Sequence, residues 1–128
     1  MYSEKLLEHF EHPHNVGAME DADLMGEAGS AECGDRAVIY IKLDGDKIKD
    51  ISFMTFGCAA AIASSSVLTE MVRGMTLSEA LAVTKYDIAE ALGGVPPHKM
   101  HCSLMAEEAL KAAIHNAIAP DITVCEGK

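Results

Sequence analysis

Hydrophobic and polar positions follow one period in the first half of this chain and another in the second, and the change falls at Gly57-Cys58. Near the N-terminus Leu6, Leu7 and Phe10 recur at helical spacing, which predicts a short helix over 3–12 with these three on one face, ended by Pro13. Residues 15–34 include Gly17, Gly26 and Gly29 and hold no sustained period. They predict a mostly irregular lead-in with one short edge strand near 23–29. The β-branched run 37–43, the turn signal Asp44-Gly45-Asp46 and a second run over 48–56 predict a hairpin. In its second strand Ile51 and Phe53 alternate with Ser52 and Met54, so one face packs on helices and the other is partly covered.

Beyond Gly57-Cys58 the Ala-rich stretch 59–73 reads as a helix with Ile62, Met71 and Val72 among its apolar positions, stopped by Gly74. Thr76-Leu-Ser-Glu79 is a capping-box pattern, and Asp87 is expected to cap a further helix that ends at Gly93-Gly94. Pro96-Pro97 predict an extended, polyproline-like display of 95–99. A last helix is expected from near Cys102 through Leu104, Leu110 and Ile114 to Pro120. The fold class is α+β, a small antiparallel β-sheet packed on one face by helices.

Composition narrows the function classes. A chain of 128 residues, 49% of them hydrophobic, suits one domain over 1–128. Twenty acidic against ten basic residues give a net charge of −10, which opposes binding to a phosphate backbone, so no nucleic-acid partner is expected. No apolar stretch approaches the roughly 18 residues of a membrane span, and a cytoplasmic protein without a membrane partner is expected. In a reducing compartment, four cysteines point to metal binding or thiol chemistry rather than to disulfides.

Three of those cysteines stand in segments suited to that chemistry: Cys33-Gly-Asp35, Gly57-Cys58-Ala, and Lys99-Met-His101-Cys102-Ser. They are 25 and 44 residues apart, so no local Cys-x-x-Cys knuckle exists and a shared site has to be assembled by the fold. Cys58 and Cys102 each fall where the chain enters a helix, and the positive helix terminus is expected to acidify both thiols. Cys33 lies just before the first confident strand, near enough to join them if the sheet ends gather at one pole. Cys125, past Pro120, reads as an incidental thiol. His9, His12, His14, His98 and His115 lack metal-ligand spacing and default to surface or cap positions.

The segments His12-Pro-His-Asn-Val-Gly17, Cys33-Gly-Asp35, Phe53-Met-Thr-Phe-Gly-Cys58-Ala-Ala-Ala-Ile-Ala-Ser-Ser-Ser66 and Lys99-Met-His-Cys-Ser103 occur in one order over nearly the whole chain. In this the sequence resembles the iron-sulfur cluster assembly scaffold proteins of the IscU and NifU N-terminal type. The resemblance implies a NifU/IscU-like sandwich on which a labile [2Fe-2S] cluster is built and then passed to apo-proteins such as ferredoxin. Iron is one ingredient, and sulfur arrives as persulfide from a cysteine desulfurase. It implies a scaffold and sulfur acceptor rather than a turnover enzyme, with Cys33, Cys58 and Cys102 as ligands and Asp35 or His101 as the alternative fourth. Cys102 is then the persulfide acceptor, and Lys99 a charge at the site mouth. A homodimer stays among the allowed assemblies.

Members that work with a dedicated Hsp70-type chaperone carry Leu-Pro-Pro-Val-Lys where this chain has Val95-Pro-Pro-His98-Lys99, so weak or absent recognition by such a chaperone is expected. The chain also lacks the extra cysteine motifs of full-length NifU-like proteins, and reads as the scaffold domain by itself. The competing reading is a zinc-binding sulfur-transfer protein, because Cys33, Asp35, Cys58 and Cys102 also make a tetrahedral zinc set. That branch usually carries an insertion ahead of the last helix, and none is seen between Asp87 and Lys99. A Cys-His hydrolase built on Cys102 and His101 is remote, since adjacent residues at a helix start seldom form a productive pair.

Overall fold

The structure is a computed structural model that describes residues 2–30 and 35–118, so Cys33 and Cys125 lie outside the described residues. The helix α1, Glu4–Glu11, begins on the hydroxyl of Ser3, which accepts the Leu6 amide. Only Leu6 of the expected apolar face is buried; Leu7 and Phe10 each remain 40% exposed, because so short a helix turns little of its surface onto its neighbour. Three strands follow: β1, Leu24–Ser30; β2, Asp35–Asp44; and β3, Lys47–Phe56. They form one antiparallel sheet in the order β1-β2-β3, with Leu24 opposite Ile41 and Ile39 opposite Phe53.

Alternation decides which sheet face is core. Ala37, Ile39 and Ile41 of β2 and Ile51 and Phe53 of β3 are fully buried or nearly so, and they meet the helices α2, Ala59–Val72, and α5, Met100–Ile118. Ser52 and Met54 on the other face are half-buried, as expected. Residues 15–17 also run alongside β3, where the Gly17 amide donates to Phe53 O and the Phe53 amide to Asn15 O.

The edge strand expected near 23–29 forms as β1, and it contains Gly26. That glycine sits where α5 crosses, and a Cβ placed on it would stand 2.2 Å from Ala113 N and 2.3 Å from Ala109 O. Those are backbone atoms of a helix and cannot turn aside. The Gly26→Ala substitution is therefore expected to cost about 3 kcal/mol, at the upper end of ordinary overpacking, read as a lower denaturant midpoint. A midpoint within experimental error of the parent would show that α5 can move away freely.

The helix α2 is buried on nearly every side, by α1, the sheet and α5. Of the apolar positions named from the sequence, Val72 is fully buried and Ile62 and Met71 are half-buried, and Ala60, Ala61, Ala63, Val67 and Leu68 carry most of the packing. Small residues let three neighbours approach, and each buried hydroxyl finds a partner. Ser64 pairs with Ser103 of α5 at 3.0 Å, Ser65 donates to Ala61 O, and Thr69 donates to Ser66 O.

Two short helices, α3 (Leu77–Leu81) and α4 (Lys85–Ala91), lead to the final one. The Thr76–Glu79 capping box forms as expected. The next cap differs: Thr84 occupies the N-cap, and Asp87 returns the bond from the third helical position. Pro96 is extended, but Pro97–Lys99 curl into a 3-10 turn that runs directly into α5, so the extended segment expected over 95–99 ends at Pro96. Proline suits a first helical position, where its missing amide costs nothing. Accordingly α5 starts at Met100, and Cys102 lies inside its first turn rather than ahead of it.

Candidate functional site

Four of the expected site residues meet at one pole of the sheet. Asp35 opens β2, Phe56 closes β3 opposite Arg36, and α2 and α5 both begin there. Cys58 Sγ and Cys102 Sγ are 3.5 Å apart. His101 Nε2 lies 3.6 Å from Cys102 Sγ, and ligand atoms of Asp35, His101 and Cys102 all fall within 4.8 Å of one another. Two thiolates on one tetrahedral metal, with bonds near 2.3 Å, stand about 3.7 Å apart, so the cysteine pair fits a metal or cluster iron with little adjustment. Cys33, the third expected cysteine, lies outside the described residues.

Glycine at position 57 is part of this geometry. A Cβ there would come within 3.0 Å of Asp35 Oδ1 and 3.2 Å of Ala61 Cβ. The bare α-carbon leaves the Asp35 carboxylate room to lie against it, within reach of Cys102 and His101.

The two thiols differ sharply. Cys58 is the N-cap of α2, and burial by itself would push its pKa up. The Ala61 and Ala60 amides, the Cys102 thiol and the Lys99 charge outweigh that burial, although no hydrogen bond of full capping geometry forms. The Cys58 pKa is therefore lowered. Cys102 is fully buried, and desolvation, then the neighbouring Cys58 and the Asp35 charge, push it up to about 12 against the opposing charge of Lys99. The first proton to leave the pair comes from Cys58, and the second stays on Cys102. Acidification of both thiols was the expectation; it holds for Cys58 and fails for Cys102, because burial and a neighbouring thiolate outweigh a helix terminus. Lys99 is in turn raised, chiefly by the Cys58 thiolate.

His12, expected as a surface or cap residue, is the C-cap of α1. His14 is at the surface as expected, whereas His9 is partly buried. They meet each other and Glu70 on the flank of α2, and the His9 side chain is only 14% exposed. Nothing in the spacing of 9, 14 and 70 announces this cluster. The only local sign is that Ser66 and Glu70 are four apart on one helix face, the spacing that aligns side chains.

Residues 1–119 match the family model of the NifU-like N terminal domain. The chain is 56% identical over 114 residues to iron-sulfur cluster assembly scaffold protein IscU 1 of Archaeoglobus fulgidus, covering 89% of this chain and 74% of that protein. It is 53% identical over 117 residues to nitrogen fixation protein NifU of Azotobacter chroococcum mcd 1, covering 90% of this chain but 38% of that longer one. Among solved structures, a protein proposed as the iron-sulfur cluster assembly scaffold of the SUF system in Fervidobacterium islandicum AW-1 superposes with a TM-score of 0.71. The match is 26% identical and covers 88% of this chain and 96% of that one.

Proposed function

The chain belongs to the NifU-like N-terminal domain family, and from that premise we propose that it is a scaffold on which a labile iron-sulfur cluster is assembled and passed on. The observation that carries this reading is the gathering of Cys58, Cys102, Asp35 and His101 at one sheet pole, open at its mouth through Lys99 and His101. The cluster is cargo. Cys33, Cys58 and Cys102 hold it as thiolates, and Asp35 or His101 supplies the fourth donor. A carboxylate or imidazole binds cluster iron less strongly than a thiolate does, which suits a group that has to leave. A [2Fe-2S] unit needs two outer ligands on each iron, and this set supplies four. The implied partners are a cysteine desulfurase and apo-proteins of the ferredoxin kind.

Sulfur enters at Cys102. Its sulfur attacks the outer sulfur of the donor's persulfide; a Cys102–sulfur bond forms, the donor's own sulfur–sulfur bond breaks, and the departing donor cysteine takes up the proton that Cys102 gives up. Because Cys102 is buried and protonated at rest, this step requires the Pro97–Lys99 turn that precedes it to open when the desulfurase docks. Lys99 is then placed to hold the new persulfide anion. Incubation with desulfurase and labelled cysteine, followed by peptide mass spectrometry, is expected to find the label on Cys102 first. A label that appears first on Cys58, the readier thiolate at rest, moves the acceptor role there.

Anaerobic reconstitution with metal and sulfide analysis tests the function as a whole. Iron with equimolar sulfide that moves to an apo-ferredoxin supports the scaffold. Zinc bound without sulfide, on a chain that still accepts persulfide, transfers the reading to a zinc-dependent sulfur carrier.

A further inference from the structure

The cluster of His9, His14 and Glu70 lies on the same helix as Cys58 but far from it. With a rise of about 1.5 Å per residue, Ser66 and Glu70 stand roughly 12 and 18 Å along α2 from Cys58. Glu70 reaches both histidines: one carboxylate oxygen contacts His14 Nδ1, and the other is 3.8 Å from His9 Nε2. The two rings stand 4.9 Å apart, tilted by 47°. One ligand atom from each residue lies within 4.8 Å of the other two. A tetrahedral set with bonds of about 2.0–2.2 Å needs ligand atoms about 3.5 Å apart. Small rotations of the half-exposed His14 and Glu70 side chains close that gap.

The surroundings already hold these ligands in place. His9 Nδ1 is engaged at 2.7 Å by the buried Ser66 hydroxyl, which leaves Nε2 as the nitrogen facing Glu70. The same hydroxyl accepts the backbone amide of His14 at 2.8 Å. Next in the chain, Asn15 takes the left-handed conformation, φ 62°, and donates its side-chain amide to Thr69 Oγ1 at 3.0 Å. Three residues of α2, namely Ser66, Thr69 and Glu70, therefore fix the loop after α1 against one helix face. Fixing a ligating imidazole through its second nitrogen is how outer-shell partners orient metal ligands.

We propose that His9, His14 and Glu70 form a second metal site, separate from the cysteine pole, for one borderline divalent ion such as zinc(II) or cobalt(II). Two imidazoles and one carboxylate match such ions and leave one position for water. Bound there, the ion clamps α1 and the 13–17 segment onto α2. Calcium and magnesium are excluded by the donor set, since both prefer oxygen.

Cobalt(II) titration of the full chain separates the two sites, because only the cysteine pole gives a thiolate-to-cobalt charge-transfer band. Two equivalents are expected, one with that band and one with ligand-field bands alone. Glu70→Gln and His14→Gln should each remove the second equivalent and leave the thiolate band unchanged. Ser66→Ala should weaken the second equivalent by about 10- to 100-fold, the usual range for losing an outer-shell partner. His12→Gln, outside the cluster, should retain both. Both exposed-ligand variants should match the parent in circular dichroism and, in chelator, in thermal midpoint, whereas zinc should raise the midpoint of the parent further than that of either variant, which keeps only the cysteine pole. A parent that lacks the equivalent without a thiolate band, or Glu70→Gln and His14→Gln variants that retain it, overturns the proposal. Loss of the thiolate band alone would instead tell against the scaffold reading and leave this site standing.

Discussion

Serine at Cys58 is expected to abolish cluster retention while leaving the fold as stable as before, or slightly more so. Cys58 occupies the N-cap of α2 without a full capping bond, and a serine hydroxyl is a better cap acceptor than a thiol, typically by about 0.5–1 kcal/mol. Stability and cargo therefore move in opposite directions at one atom. Loss of a ligand should cost at least the about 10- to 100-fold that outer-shell changes cost at metal sites, so reconstituted iron and sulfide fall to background. Cys102→Ser and Cys33→Ser should lose the cluster as well, and Cys125→Ser should not. Chelator-resistant iron and sulfide, measured beside the denaturant midpoint, check all four. A cluster that survives Cys58→Ser, or one that needs Cys125, would break the ligand assignment.

Asp35→Ala is expected to have the opposite effect on the cargo. The Asp35 carboxylate lies across Gly57 beside Cys102, where it offers a weakly held ligand and a path for protons and water to the metal. Alanine removes both, and also removes a negative charge that presses on Cys102. The cluster should persist about tenfold longer or more and transfer correspondingly more slowly to apo-ferredoxin. The decay of its visible absorbance with and without acceptor measures both rates. Faster loss in the variant would assign Asp35 to holding the cluster instead of releasing it.

Local chemistry was legible wherever a short stretch of chain contained its own cause. The hairpin follows from two β-branched runs about Asp44-Gly45-Asp46, and the capping box at Thr76 from residues three apart. The change of period at Gly57-Cys58 marks the true start of α2, and the motifs around Cys58 and Cys102 point to one place, where the two sulfurs stand 3.5 Å apart. Misreadings fell where a neighbour distant in sequence decides the outcome. Gly26 falls in the expected edge strand, but its need to be glycine is not legible until the backbone of α5 is laid against it. Asp87 reads as a cap until Thr84 takes that place, and Pro97 reads as extended until it begins a 3-10 turn.

Most of the elements, the α+β class and the candidate ligands were legible in the chain, because periodicity, turn residues and donor chemistry are local properties. Which thiol is acidic depends on packing. Cys58 and Cys102 both stand at helix starts, but one is half-exposed beside Lys99 and the other is sealed behind it, and burial is set by residues dozens of positions away. The same holds for His9, His14 and Glu70. Their meeting depends on α1 folding back along α2, a contact between segments more than fifty residues apart that no local pattern encodes.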